Sequence, residues 1–223
     1  FMMAEEKIQN LLHAAPDVEA FLLSSRVARY YYTGCNIAEG YVLLCGAQRC
    51  YLTDSRYLED ARRQLPDFTF FEIGHAASAL DLLQRAVQRF KIKTLGFEEA
   101  RTTVAEYCAL EQRLQVKMIP CQGLLDRPRQ CKSAWELEQM RRAQEITDAA
   151  FSDLLPKIHP GLREKELMGM LIGCLYAHGA DGLSFDPIVV SGPNTSMPHG
   201  VAGERILQNG DFVTMDFGCL YAG

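Results

Sequence analysis

The sequence predicts an α/β domain over residues 1–126 followed by an α+β unit over residues 133–223. Three observations carry that division. Short apolar runs of strand type alternate with helix-like segments through the first half. The alternation breaks at a charged stretch around Pro128, and a long helical pattern then opens the second half. Alternation of strand and helix builds a sheet with helices packed on it.

The elements follow in order. Ala20–Leu23 reads as a short buried strand. Tyr41–Cys45 and Arg49–Thr53 read as two strands around Gly46-Ala47-Gln48, a hairpin-length turn. Ser55–Gln64 reads as a helix with Ser55 as its N-cap. Phe68–Ile73 is rich in Phe, Thr and Ile and predicts a strand. Ala76–Phe90 places Leu80, Leu83, Val87 and Phe90 at helical spacing. A strand at Thr94–Phe97, a helix across Val104–Leu114 and a strand at Val116–Ile119 complete the domain. Leu124–Ser133, with Pro128 and four charged residues, reads as a linker. Ser133 and Glu136 then have capping-box spacing. Leu137, Met140, Thr147, Phe151, Leu154 and Leu155 fall broadly on one face of the helix they open. His159-Pro160-Gly161 stops it. A second helix spans about Arg163–His178 and ends at Gly179. Strands at Pro187–Ser191 and Phe212–Phe217 flank a loop of Gly, Pro and Asn.

Composition narrows the function. The chain has 223 residues, 48% hydrophobic and 23% charged, with a net charge of −5. A mildly acidic chain without basic clusters has no general attraction to nucleic acid or to anionic membranes. No apolar run approaches the roughly 18 residues of a membrane span. The amino terminus lacks a basic segment followed by an apolar one, so a signal peptide is not expected. Phe1 ahead of Met2 and Met3 reads as a residue left by expression. The eight cysteines form no C-x-x-C pair and no zinc-finger spacing with His, and several lie in apolar contexts such as YVLLCG and LIGCLY. Buried free thiols in a cytoplasmic protein are the expectation.

Two segments concentrate candidate chemistry: SFDPIVVSGPNTSMPHG, residues 184–200, and NGDFVTMDFG, residues 209–218. In the first, Pro198 restricts the backbone before His199, and Gly200 leaves room for a ligand after it. Imidazole titrates near neutrality and can donate or accept a proton or polarise a carbonyl. A surface-loop histidine is the plainer explanation, and the tripeptide alone does not exclude it. In the second segment, Asp216 stands at the end of an apolar strand. A carboxylate there is costly unless paired, hydrogen-bonded or bound to a cation, and Asp is a hard oxygen ligand for Mn²⁺ or Mg²⁺. An Asp capping a turn before Gly fits equally well. Asp211 after Asn209-Gly210 reads as turn chemistry. Asp54, Arg56 and Tyr57 read as a local salt bridge and cap, though a role in a dimer partner's site is conceivable. His75 and His178 read as loop and helix-end residues, and Trp135 as packing.

Together the two segments resemble the start of the catalytic pita-bread domain of the proline-peptidase family of Xaa-Pro aminopeptidases, prolidases, methionine aminopeptidases and creatinase. SAWELEQMRRAQEITDAAF resembles the long helix that opens that domain, and HPGLREKEL the start of the next. TGCNIAEGYVLL and LTDSRYLEDA resemble the small amino-terminal domain of the aminopeptidase P, prolidase and creatinase branch. The resemblance implies a metal-dependent exopeptidase that releases the residue ahead of a proline by attack of a metal-activated hydroxide. It implies two divalent ions, Mn²⁺ with Co²⁺ or Zn²⁺ as alternatives, and a homodimer acting on proline-containing peptides. Asp216 would be the first metal ligand, and His199 the substrate-binding histidine beside the metals.

The family's second aspartate follows the first by about eleven residues, with a histidine and two glutamates much later. Here the chain runs only to Gly223. The expectation is a pita-bread domain that is incomplete in this chain and inactive alone. Prolidase is the close alternative, and creatinase differs by working without metal. A pita-bread domain that has lost its ligands and serves as a binding module is the reading from outside enzymology.

Overall fold

The computed structural model describes residues 2–223, so Phe1 lies outside the described residues. The chain divides into two compact units, Phe1–Cys131 and Lys132–Gly223.

The first unit contains α1 (Met2–Ala14), β1 (Ala20–Leu23), α2 (Arg26–Thr33), β2 (Tyr41–Cys45), β3 (Gln48–Asp54), α3 (Ser55–Gln64), β4 (Thr69–Ile73), α4 (Ala79–Phe90), β5 (Thr94–Phe97), α5 (Val104–Leu114), β6 (Lys117–Pro120) and α6 (Gln122–Asp126). The strands form one six-stranded sheet in the order β4-β3-β2-β1-β5-β6. β1 pairs antiparallel with β2 and parallel with β5. Its sequence AFLL is apolar throughout because it is buried on both faces. Successive side chains go to opposite layers, as the period of a strand requires. Phe21, Leu23, Val42 and Leu44 pack with Ile8 and Leu11 of α1, Tyr32 of α2 and Leu125 of α6. Ala20, Leu22, Leu43 and Leu52 pack with Leu82, Leu83 and Val87 of α4 and Leu110 and Leu114 of α5. The result is an α/β domain with helices on both faces of the sheet.

Several local expectations shift. Gln48 pairs with Cys45, so the hairpin loop shortens to Gly46-Ala47. The N-cap of α3 is Asp54 rather than Ser55; its carboxylate accepts from the Arg56 N–H at 2.9 Å and is gripped by the Arg56 guanidinium at 3.0 and 2.7 Å. α4 starts after a Ser78–Asp81 capping box, three residues later than its periodicity suggested. The stretch read as a linker is largely helical. Leu125 is 1% exposed, and a 3₁₀ turn over Arg127–Gln130 follows α6.

The second unit opens with α7 (Ala134–Leu154), capped by the Ser133–Glu136 box as its spacing predicted. α8 (Glu164–Ala177), β7 (Gly182–Leu183), β8 (Ile188–Ser191), β9 (Val213–Asp216) and β10 (Cys219–Leu220) follow. Ile146, Ala150 and Leu154 of α7 pack with Leu167, Leu171 and Leu175 of α8 and Val189 of β8. The buried face of α7 is therefore narrower than predicted: Leu137 and Met140 are exposed, as is Leu155 just past the helix; Trp135, read as packing, is exposed as well, a correction. Of the cysteines, all free, Cys35, Cys50, Cys121 and Cys174 are buried, whereas Cys108 and Cys131 are exposed. Burial pushes the Cys35 thiol up to about 11, which makes it inert at neutral pH. No described helix is long and apolar enough to cross a membrane.

Candidate functional site

β8 and β9 form an antiparallel pair with Ile188 opposite Asp216 and Ser191 opposite Val213. Between them runs the loop that carries His199. Gly192–Ser196 is a 3₁₀ turn. A tight turn follows, with the Gly200 N–H donating to the Met197 carbonyl at 3.0 Å. Pro198 stands second in that turn, where its fixed φ is pre-set, and His199 third. His199 is exposed. Gly200 is buried, and a Cβ on it would lie 2.8 Å from Val190 Cγ1. Its missing side chain admits the protein's own strand, a correction to the expectation that it makes room for a ligand. Asp216 is also exposed, at the carboxyl end of β9.

The loop is held from beneath by Glu164, the first residue of α8, which is 0% exposed. Its Oε1 accepts from the Ser191 N–H at 2.7 Å, the Ser191 hydroxyl at 2.9 Å and the Asn194 amide at 3.1 Å. Its Oε2 accepts from the Gly203 N–H at 3.0 Å. Burial alone would raise the Glu164 carboxyl, but the bonds from Gly203, Asn194 and Ser191 outweigh it and hold its pKa below the ordinary value. Arg205 donates to the Ser191 hydroxyl at 2.6 Å and grips Asp211 through both terminal nitrogens, at 2.6 and 2.9 Å. The Arg205 guanidinium, with the Gln208 N–H, holds the Asp211 carboxyl below its usual range. Asp211 is thus more than a turn residue.

Gly192 sits where a side chain cannot. Its φ is 51°, and a Cβ would lie 2.6 Å from Asp211 Oδ1 and against the Arg205 guanidinium. Gly192→Ala is expected to cost about 1–3 kcal/mol, from left-handed strain and from prising the pair apart. Urea unfolding of the full-length protein checks this; an unchanged midpoint would contradict it.

Sequence reasoning missed Glu164. An acid at a helix start reads as a complement to the helix dipole, and nothing nearby in the sequence signals its burial. His178 does end its helix, with its Nε2 2.7 Å from Asp153.

Residues 6–131 match the family described as Creatinase/Prolidase N-terminal domain. The chain belongs to the creatinase/prolidase family. Residues 138–223 match Metallopeptidase family M24, so the creatinase-type domain is followed by part of a pita-bread domain. An uncharacterised peptidase of Bacillus subtilis, YqhT, is 33% identical over 99% of this chain and 62% of its own length. A structure titled Xaa-Pro dipeptidase from Bacillus anthracis superposes with a TM-score of 0.90 at 34% identity, covering 98% of this chain and 62% of that one. An X-Pro aminopeptidase structure from Thermotoga maritima gives 0.85 at 30% identity, covering 92% and 60%. The chain thus spans about three-fifths of the length of these relatives.

M24 membership implies divalent metal ions. Among the described residues, no group of three or more His, Cys, Asp or Glu comes together to hold one. Asp216 has an exposed carboxylate with no hydrogen bond or ion pair to another described residue. The residues present therefore fit one oxygen ligand of a metal and do not by themselves make a centre.

Proposed function

We propose that the full-length protein is a metal-dependent exopeptidase that releases the N-terminal residue of peptides with proline in second position, an Xaa-Pro aminopeptidase. Asp216 is its first metal ligand, and His199 is the group that meets the substrate beside the metals. One observation carries this reading. In a unit matching family M24, Asp216 at a strand end and His199 at the third position of a turn have exposed side chains, while Glu164 and Asp211 of the same unit are satisfied within the protein.

Bound divalent cations, Mn²⁺ first and Co²⁺ or Zn²⁺ as alternatives, supply Lewis acidity and activation of water. The chain's own residues orient and bind. Asp216 presents a hard anionic ligand at a strand end. The His199 ring, on a turn with a fixed base, can donate a hydrogen bond to the substrate carbonyl or carry a proton to the leaving nitrogen. The resemblance further implies a cytoplasmic homodimer.

The dipeptidase reading stays beside this one, because the Bacillus anthracis structure carries that title at 34% identity. Incubating the full-length protein and Mn²⁺ with an Xaa-Pro dipeptide and an Xaa-Pro-Xaa tripeptide separates the two. Release of the first residue from both is expected. Cleavage of the dipeptide alone would make the protein a prolidase, and cleavage of neither would overturn the proposal.

A further inference from the structure

We infer that Glu164 is a positioning residue, a buried anchor that fixes the turn bearing His199 and so sets the aim of its imidazole. The inference rests on the reading of His199 given above.

Glu164 is charged and fully buried, a combination that is costly unless both oxygens are satisfied, as they are here. A buried ionic group adds little net stability over a well-packed apolar one. What Glu164 does is join three points of chain that are otherwise separate. Ser191 ends β8, Asn194 lies in the 3₁₀ turn, and Gly203 lies beyond the His199 turn. His199 falls between the last two, so both limbs of its loop are tied to one carboxylate. That carboxylate sits at the amino terminus of a long helix, where the helix dipole favours the negative charge. The backbone around Gly203 is tied to the same helix start. Its carbonyl accepts from the Lys165 N–H at 3.2 Å, and the Glu164 N–H donates to the Arg205 carbonyl at 3.0 Å. Arg205, fixed by Asp211, buttresses the Ser191 hydroxyl that Glu164 accepts from.

Glu164→Gln tests this with little change of shape. Both carboxylate oxygens accept backbone N–H groups, so an amide must set its NH₂ against one of them. Keeping oxygen toward Ser191 and Asn194 retains three donors and breaks the tie to Gly203. That limb of the His199 loop then keeps only its backbone ties to the helix start, through the Gly203 and Arg205 carbonyls. A displacement of about 1 Å at a reacting group can cost about 100-fold, so kcat/KM for an Xaa-Pro peptide is expected to fall about 10- to 100-fold, with metal content unchanged.

A lost anchor and a merely weakened fold are separated by a double-mutant cycle in the full-length protein. In a His199→Ala background the anchor has nothing left to aim, so Glu164→Gln should change kcat/KM by no more than about twofold. An equal loss in both backgrounds, or no loss in the wild-type background, would overturn the inference while leaving His199 in place. If His199→Ala by itself costs nothing, the reading of His199 and the inference fall together. Should Glu164→Gln not fold, Asn194→Ala removes a single donor. It should give a smaller loss that again vanishes without His199, and an additive loss would overturn the inference.

Discussion

Asp216→Asn in the full-length protein is expected to leave a folded molecule that holds less metal and turns over about a thousandfold more slowly. The substitution keeps the side chain's shape and removes its charge. Asp216 is exposed and its carboxylate has no partner among the described residues, so the fold does not depend on it. A surface change of this kind stays within about 0.5 kcal/mol of the parent stability. The metal, by contrast, loses an anionic oxygen ligand, and the amide that replaces it is a weaker donor to a hard cation. Metal charge stabilisation is worth several kcal/mol in the transition state, and about 4 kcal/mol corresponds to the thousandfold quoted. Metal per protein by elemental analysis and kcat at saturating substrate are the two readouts. Full metal content with full activity would remove Asp216 from the site.

His199→Ala is expected to lower kcat/KM by about 10²–10⁴-fold while leaving metal content and thermal stability where they were. The combination is what distinguishes the two residues. A metal ligand takes the metal with it, whereas a group that meets the substrate does not. His199 is exposed on its turn, and neither ring nitrogen bonds to another described residue, so its removal breaks no hydrogen bond of the fold. His199→Gln, which keeps one N–H donor, should recover part of the loss if the imidazole acts by hydrogen bonding. A metal-depleted His199→Ala protein would make His199 a ligand and contradict its assignment.

How far the sequence carried the structure depended on how local each cause was. β1 was legible because AFLL is buried on both faces and so reads as an unbroken apolar run. The Ser133–Glu136 box set the start of α7 by itself. α2 was not read as a helix. Its three consecutive tyrosines favour strands in isolation, and packing of Tyr32 into the core, the Ser25 cap and Gly34 in the left-handed region override that preference. Leu124 and Leu125 sit inside a charged stretch whose proline reads as a break, yet that proline is the second residue of a short 3₁₀ turn. The buried face of α7 was overestimated because the spacing of Leu137 and Met140 does not report whether anything covers them.

The two candidate residues were singled out from motif context, and their exposed placement follows from local turn and strand chemistry. Glu164 was illegible for the opposite reason. Its partners Ser191, Asn194 and Gly203 lie 27 to 39 residues away, and only the folded chain brings them to one carboxylate. Asp211 looked like a turn residue because its Gln208 bond is local; its grip on Arg205 six residues back is not a turn signal.

In the proposed function the second unit contributes to a metal-dependent site that cuts ahead of proline. The most direct measurement follows release of the first residue from an Xaa-Pro peptide by mass spectrometry, using the full-length protein as prepared with Mn²⁺, after EDTA, and after Mn²⁺ is restored. Release is expected to stop with EDTA and return with the metal, with little release from a peptide with alanine in second position. Undiminished release in EDTA, or no release with Mn²⁺ present, would contradict the proposed function.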